Sequence, residues 1–460
     1  MNESMLTREL ARLALSSHPE ESAEAFAAAR LGVIDFLASS FAARDEEAIA
    51  KLWRVVKAEG GHAQVPVIGQ GEKVSFLQAS LLNGLIGHAL DYDDVHSDVR
   101  GHPSTVILPA LISVAATEKP SGERFLAAYV IGVETMARLG QAIGPDHYVK
   151  GWHNTATLGG IAAAVAAAYL KRFSQAAMEK VIGFAATQAS GLRIQFGSEM
   201  KPLHPGLAAH AALLSLKLAE EGFAGTRQAL DGQLGFFGLY GDGDQDRAKR
   251  LLVEGWGEPW KIVTPGLWFK RYPFCSAAYH AADAAVRLRE KNKLSPQDIE
   301  KVEIIFPPDG DAALVEREPQ TGEEGRFSVE YVVALALNGY PLSLDNFTKA
   351  PLAEEIKRFL PRIHRSYDAK LSPVPHAVPK GRFTIVAVTT TDGTTYCERI
   401  DRPKGAPGQP LSSEELRQKL EHALAGEPDR AERIIGTVSA LKGKEDLQQL
   451  LFLLSITSRL

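Results

Sequence analysis

The sequence predicts a mainly α-helical protein with a smaller α+β domain inserted into it. Three observations predict this. Apolar residues recur at helical spacing through the first 265 residues. Period-two alternation is confined to the stretch between about 270 and 400. Helical patterning then returns to the C-terminus. The expected boundaries are a helical domain of residues 1–267 and 403–460, and an α+β lid domain of residues 268–402.

The elements follow in order. The segment MNESMLTRELARLALSS mixes both charge signs and reads as a helix, not a signal peptide. In ESAEAFAAARLGVIDFLASSFAAR, the residues Phe26, Val33, Leu37 and Phe41 mark one helix face. Further helices are expected near 76–90, 105–118, 122–140, 157–171, 175–190 and 206–221. Residues 151–170 carry no Asp, Glu, Lys or Arg over 20 positions, the length of a membrane span. They are mostly Ala and Gly, so a closely packed buried helix is the reading. After a helix at about 276–292, Val302, Ile304 and Phe306 alternate as a strand. Another helix is expected at 327–339. Two β-rich runs flank Asp392-Gly393, a two-residue hairpin signal. Ser412 with Glu415 three residues on forms a capping box that opens the C-terminal helices.

Composition narrows the function. The chain has 460 residues, 45% hydrophobic and 23% charged, with 51 basic against 56 acidic side chains and a net charge of −5. That balance argues against nucleic acid as a partner. Two cysteines, Cys275 and Cys397, exclude a four-cysteine zinc site, a cysteine-ligated iron–sulfur cluster and a disulfide scaffold. A cytoplasmic protein without a membrane span is the expectation.

The densest chemistry lies in HALDYDDVHSDVRGHPS. Here Asp91, Asp93, Asp94 and Asp98 accompany His88, His96 and His102. His88 and Asp91 would share a helix face. His102, between Gly101 and Pro103, sits in a rigid turn before an apolar helix, as suits a general acid or base. A solvated acidic loop and a metal site are the competing readings; no HExxH-type spacing supports a metal. His153 precedes a Gly/Ala-rich helix that permits close backbone approach. Lys201 opens a helix whose positive end favours a carboxylate. Lys270 and Arg271 stand where the two domains meet. Asp242, Asp244 and Asp246 imitate the start of an EF-hand loop, but Arg247 occupies the position that needs glycine. A P-loop, a dinucleotide fingerprint and GxSxG are all missing from the sequence.

Taken as a set, HALDYDDVH, GHPST, GWHNTATLGG, KPLHPGLAAHAALLSLKLAEEGFAG, FKRYPFCSAAYHAADA and FSVEYVVALALNGY resemble the MmgE/PrpD family, in family order over roughly residues 80–340. The family includes dehydratases of 2-methylcitrate, decarboxylases of cis-aconitate and epimerases of iminodisuccinate. The resemblance implies a helical domain from both chain ends, an α+β lid and a homodimer. It also implies a site between the domains without metal or organic cofactor. Carried over residue by residue, that site holds Asp91, His102, His153 and Tyr331 as catalytic groups, with Lys201 and Lys270 binding a small di- or tricarboxylate. Where decarboxylase members carry Asp-Asp-Thr, this chain has Asp93-Asp94-Val95, and HSDVRG replaces the Trp-rich segment of dehydratase members. The implied reaction is proton removal α to a carboxylate. Dehydration ranks first, then epimerisation, then decarboxylation. A ligand-binding or scaffolding protein is the non-enzymatic alternative.

Overall fold

The computed structural model describes residues 6–374, 377 and 381–455. The fold is mainly α with a small α+β part. The chain divides into two compact units, Met1–Leu267 with Ser412–Leu460, and Trp268–Leu411.

The first unit is built on α1 (Leu6–Ser16), α2 (Ala23–Ala43), α3 (Phe76–His88), α4 (Ser104–Glu118), α5 (Gly122–Ile143), α6 (Asn154–Leu170), α7 (Gln175–Ala186) and α8 (Met200–Glu220). Between α2 and α3 lies a short antiparallel pairing of β1 (Val65–Pro66) with β2 (Lys73–Val74), which the sequence pattern did not announce. Helix α6 is buried along its whole length, because Ala and Gly side chains let neighbouring helices approach from every side. Among the described residues, α2 is the helix long and apolar enough to cross a membrane by length and composition. It carries Asp35, which is fully buried and paired with Lys419.

Two helices differ from the sequence expectation in ways that shape the site. Helix α8 begins at Met200 and runs through Pro205 and Gly206, not at 206. Helix α3 ends at His88, and Asp91 lies in the turn beyond it with φ of 51°, so His88 and Asp91 do not share a helix face. Helices α3 and α8 touch backbone to backbone. A β-carbon on Gly206 would overlap the Leu81 carbonyl, and one on Gly84 would overlap Gly206.

The second unit carries α9 (Tyr279–Asn292), α10 (Val329–Asn338) and a four-stranded sheet. Its strands are β3 (Ile299–Phe306), β4 (Ile363–Tyr367), β5 (Thr384–Thr390) and β6 (Thr395–Ile400), in the order β4-β3-β5-β6. β3 runs parallel to β4, with Val302 opposite Ile363, and antiparallel to β5, with Val302 opposite Val388. The β5–β6 connection is a three-residue loop, not the expected two-residue turn. Thr390 N–H donates to Thr394 O at 2.9 Å, and Gly393 takes φ of 83°, as three-residue hairpins with a bulge require.

The chain rejoins the first unit at Ser412, later than the 402/403 boundary read from sequence. The Pro/Gly stretch stays with the second unit because Lys404 N–H donates to Asp283 Oδ2 on α9 at 2.7 Å. Ser412 and Glu415 form the expected capping box of α11 (Ser413–Ala423). α12 (Pro428–Ser439) and α13 (Lys444–Leu454) complete the first unit. Lys419 on α11 donates to Asp35 Oδ1 at 2.6 Å and to the Tyr92 carbonyl at 2.7 Å. The C-terminal segment thereby fixes the loop between α3 and α4.

Candidate active site

That loop, the start of α6 and the start of α8 bring Asp91, His102, His153 and Lys201 together with His88, Asp93 and His204. Asp91 is the hub. Lys201 Nζ donates to its Oδ1 at 2.5 Å, His102 Nε2 lies 3.7 Å from that oxygen, and His88 Nε2 lies 3.9 Å from it. Lys201 and Asp91 are both buried. The ammonium also stands 5.7 Å from the Phe196 ring centre.

His102 is fixed from behind. Its Nδ1 donates to the Asp94 carbonyl at 2.8 Å and lies 3.2 Å from Asp93 Oδ2. A carbonyl oxygen only accepts, so Nδ1 carries the hydrogen and the neutral ring presents a bare Nε2. The backbone N–H of His102 donates to Thr155 Oγ1 at 3.1 Å, pinning the Gly-His-Pro turn to the first turn of α6. Its side chain is 12% exposed, the most open of the cluster. The Asp94 carbonyl therefore orients His102, Asp93 Oδ2 lies behind the same nitrogen, and Asp91 faces the bare Nε2.

The surrounding groups hold unusual protonation states. Burial pushes His88 down to about 3 even though its Nδ1 donates to Asp93 Oδ1 at 2.7 Å. Its Nε2 has no hydrogen-bond partner among the described residues. Burial works to raise Asp93, but the imidazoles of His88 and His102 outweigh it and hold this carboxyl well below the usual range. Asp94 is the reverse case: burial, then the nearby Asp35, pushes it well above that range. The Asp94 carboxyl joins Ser104 Oγ, and Ser104 joins the Tyr129 hydroxyl. His153 is pushed well down by burial and by the positive charge of Lys201. His153 Nδ1 and His204 Nδ1 share one hydrogen at 3.0 Å. Whichever ring donates it presents a bare Nε2, and the other presents Nε2–H. This neutral pair can therefore take up or deliver a proton.

His88, Asp91, Asp93 and His102 place four ligand-type atoms within 4.8 Å of one another, a set that suits a divalent ion. The Lys201 ammonium already supplies a cation at Asp91. The EF-hand-like stretch is a helix cap, in which Asp244 accepts from Arg247 N–H and Arg247 pairs with Asp242.

Lys270 and Tyr331 belong to the second unit. Lys270 is buried, and Tyr331 on α10 donates its hydroxyl to the Asn346 carbonyl at 2.6 Å. Burial, then the nearby Tyr340, pushes Tyr331 up to about 12. Sequence reasoning gave no role to His88, Asp93 or His204. All three lie inside motifs already singled out, but nothing local tells which member of an Asp/His run turns inward.

Residues 8–249 match the profile of the MmgE/PrpD N-terminal domain, and residues 272–442 match that of the MmgE/PrpD C-terminal domain. A cis-aconitate decarboxylase-like protein of Aspergillus oryzae is 27% identical over 416 residues, covering 85% of this chain and 84% of its own. The cis-aconitate decarboxylase of Aspergillus terreus is 26% identical over 417 residues, with 85% and 83% covered. That of Homo sapiens is 26% identical over 429 residues, with 90% and 86% covered.

Proposed function

The chain belongs to the MmgE/PrpD family, and from that premise we propose that it is a cofactor-free lyase that removes a proton α to a carboxylate of a small di- or tricarboxylate. The carrying observation is the convergence of the Lys201–Asp91 pair with the bare Nε2 of His102. Lyase-type chemistry agrees with the matched relatives, whose names describe decarboxylases.

Lys201 binds one substrate carboxylate and offsets the charge that grows on it as the proton leaves. His102 Nε2 takes that proton, and the electron pair of the C–H bond passes into an enediolate-like carboxylate. Lys270 binds a second carboxylate, a role proposed on the family resemblance. A leaving hydroxyl then needs a proton donor. The neutral His153/His204 pair can supply one, and so can Tyr331, which keeps its proton at neutral pH.

We place dehydration of a 2-methylcitrate-like hydroxy acid first, because Val95 stands where decarboxylase members carry threonine. The names of the relatives favour decarboxylation of cis-aconitate as the second reading; epimerisation uses the same carbanion. Proton NMR of the protein with a panel of polycarboxylates tests the proposal. Loss of water from a hydroxytricarboxylate supports the first reading, and carbon dioxide release from cis-aconitate selects the second. Thermal stabilisation by these compounds without any product would contradict enzymatic function.

A further inference from the structure

We propose that Asp93 is a positioning and charge-balancing residue: its buried carboxylate backs His102 and stabilises the imidazolium that forms when His102 accepts the substrate proton. The inference rests on the proposed reaction for its kinetic consequence, but the arrangement itself stands on geometry.

Asp93 is fully buried, and its two oxygens face two imidazoles. Oδ1 accepts from His88 Nδ1 at 2.7 Å, and Oδ2 lies 3.2 Å from His102 Nδ1. The two rings are 4.4 Å apart at their centres. The residues on either side are clamped. Lys419 holds the Tyr92 carbonyl at 2.7 Å, and Ser104 N–H donates to Asp94 Oδ1 at 3.3 Å. The carboxylate therefore cannot swing away when the ring becomes charged. A fixed countercharge needs no rearrangement at the moment of proton transfer, which is what makes such a group effective.

The other groups around His102 are placed differently. Asp94 turns its carboxyl to Ser104 and meets His102 through its carbonyl. Asp91 pairs with Lys201 at 2.5 Å and faces the reactive nitrogen, not the back of the ring. His88 is neutral, and His153 is neutral on the far side. The step balances simply. The C–H bond breaks, its electrons stay with the substrate, the proton forms an N–H bond at His102 Nε2, and the new positive charge lies beside Asp93.

The test compares wild type with Asp93→Asn, which keeps an acceptor oxygen for His88 but removes the charge. With a substrate from the panel, kcat should fall roughly 10- to 100-fold, the usual worth of such backing groups, with KM unchanged. Asp93→Glu should recover part of the loss. Independently of any substrate, nitrogen NMR of histidine-labelled protein should show His102 with Nδ1 protonated and Nε2 bare. In Asp93→Asn, acid protonation of that ring should move about 1–3 pH units lower. His102 is assigned by its loss in His102→Asn. An unchanged titration in a folded Asp93→Asn variant, or a wild-type kcat, overturns the inference. If Asp93→Asn does not fold, an Nε2-protonated tautomer in wild type overturns it equally. A wild type that turns over no polycarboxylate refutes the proposed function instead, and the NMR titration still decides the role of Asp93.

Discussion

Acidification should unfold this protein through its buried neutral histidines, and His88 gives the clearest magnitude. Its imidazole is buried and pushed from the ordinary 6.5 down to about 3. Between those values the unfolded chain binds a proton at this position and the fold does not. The contribution of His88 to stability is therefore constant above about pH 6.5 and falls as pH drops through the window toward about 3. A pH of about 5 lies ~1.5 units below the pKa of the unfolded histidine, so this one residue removes about 2 kcal/mol of stability. Asp94 works in the opposite direction, because the fold holds its proton where the unfolded chain has lost it. That contribution is common to wild type and to a His88→Gln variant, in which Gln can still donate to Asp93, so it cancels in the comparison. The assay is urea unfolding of both full-length proteins at about pH 7.5 and about pH 5. The wild type should lose about 2 kcal/mol more between the two conditions than the variant does. Equal pH dependence would refute the assignment of His88 as a histidine buried in its neutral form.

Three further expectations follow from the same geometry. Gly206→Ala should destabilise by about 1–3 kcal/mol or more, because its β-carbon meets the Leu81 carbonyl; it should also impair substrate binding by shifting the start of α8, whereas a change below ~0.5 kcal/mol would mean the two helices separate freely. Turnover should survive prolonged chelation, since Lys201 already supplies a cation at Asp91; loss with EDTA and rescue by one divalent ion would reassign the cluster of His88, Asp91, Asp93 and His102 to a metal. Lys201→Ala should raise KM and lower kcat together, because in the proposed reaction the ammonium holds a substrate carboxylate present before and during the chemical step; a rise in KM alone would limit it to binding.

Most of the helices, and the helix-then-sheet order, were legible because apolar periodicity carries them. The limits of legibility are physical. Pro205-Gly206 reads as punctuation, yet α8 runs through it, placing Lys201 and His204 in its first turns. Strand β4, with sequence IHRSY, has no clean alternation because it is an edge strand half open to solvent. Asp91 leaves the helix by a left-handed turn that no local composition announces. The pairing of Asp35 with Lys419 spans 384 positions, and only the packed unit reveals that the C-terminal helices brace the loop carrying Asp91 and Asp93. The motifs located the chemistry, whereas which acid faces which imidazole depends on tertiary packing.

The central claim is that His102 moves a proton α to a carboxylate held by Lys201. Incubation of the protein with its substrate or product in D₂O, followed by proton NMR, tests it most directly. Deuterium should enter the carbon α to a carboxylate, and His102→Asn should slow that entry by roughly 10²–10⁴-fold while still binding the substrate. A folded, substrate-binding His102→Asn variant that exchanges at the wild-type rate would contradict the account and leave His102 as a structural turn residue.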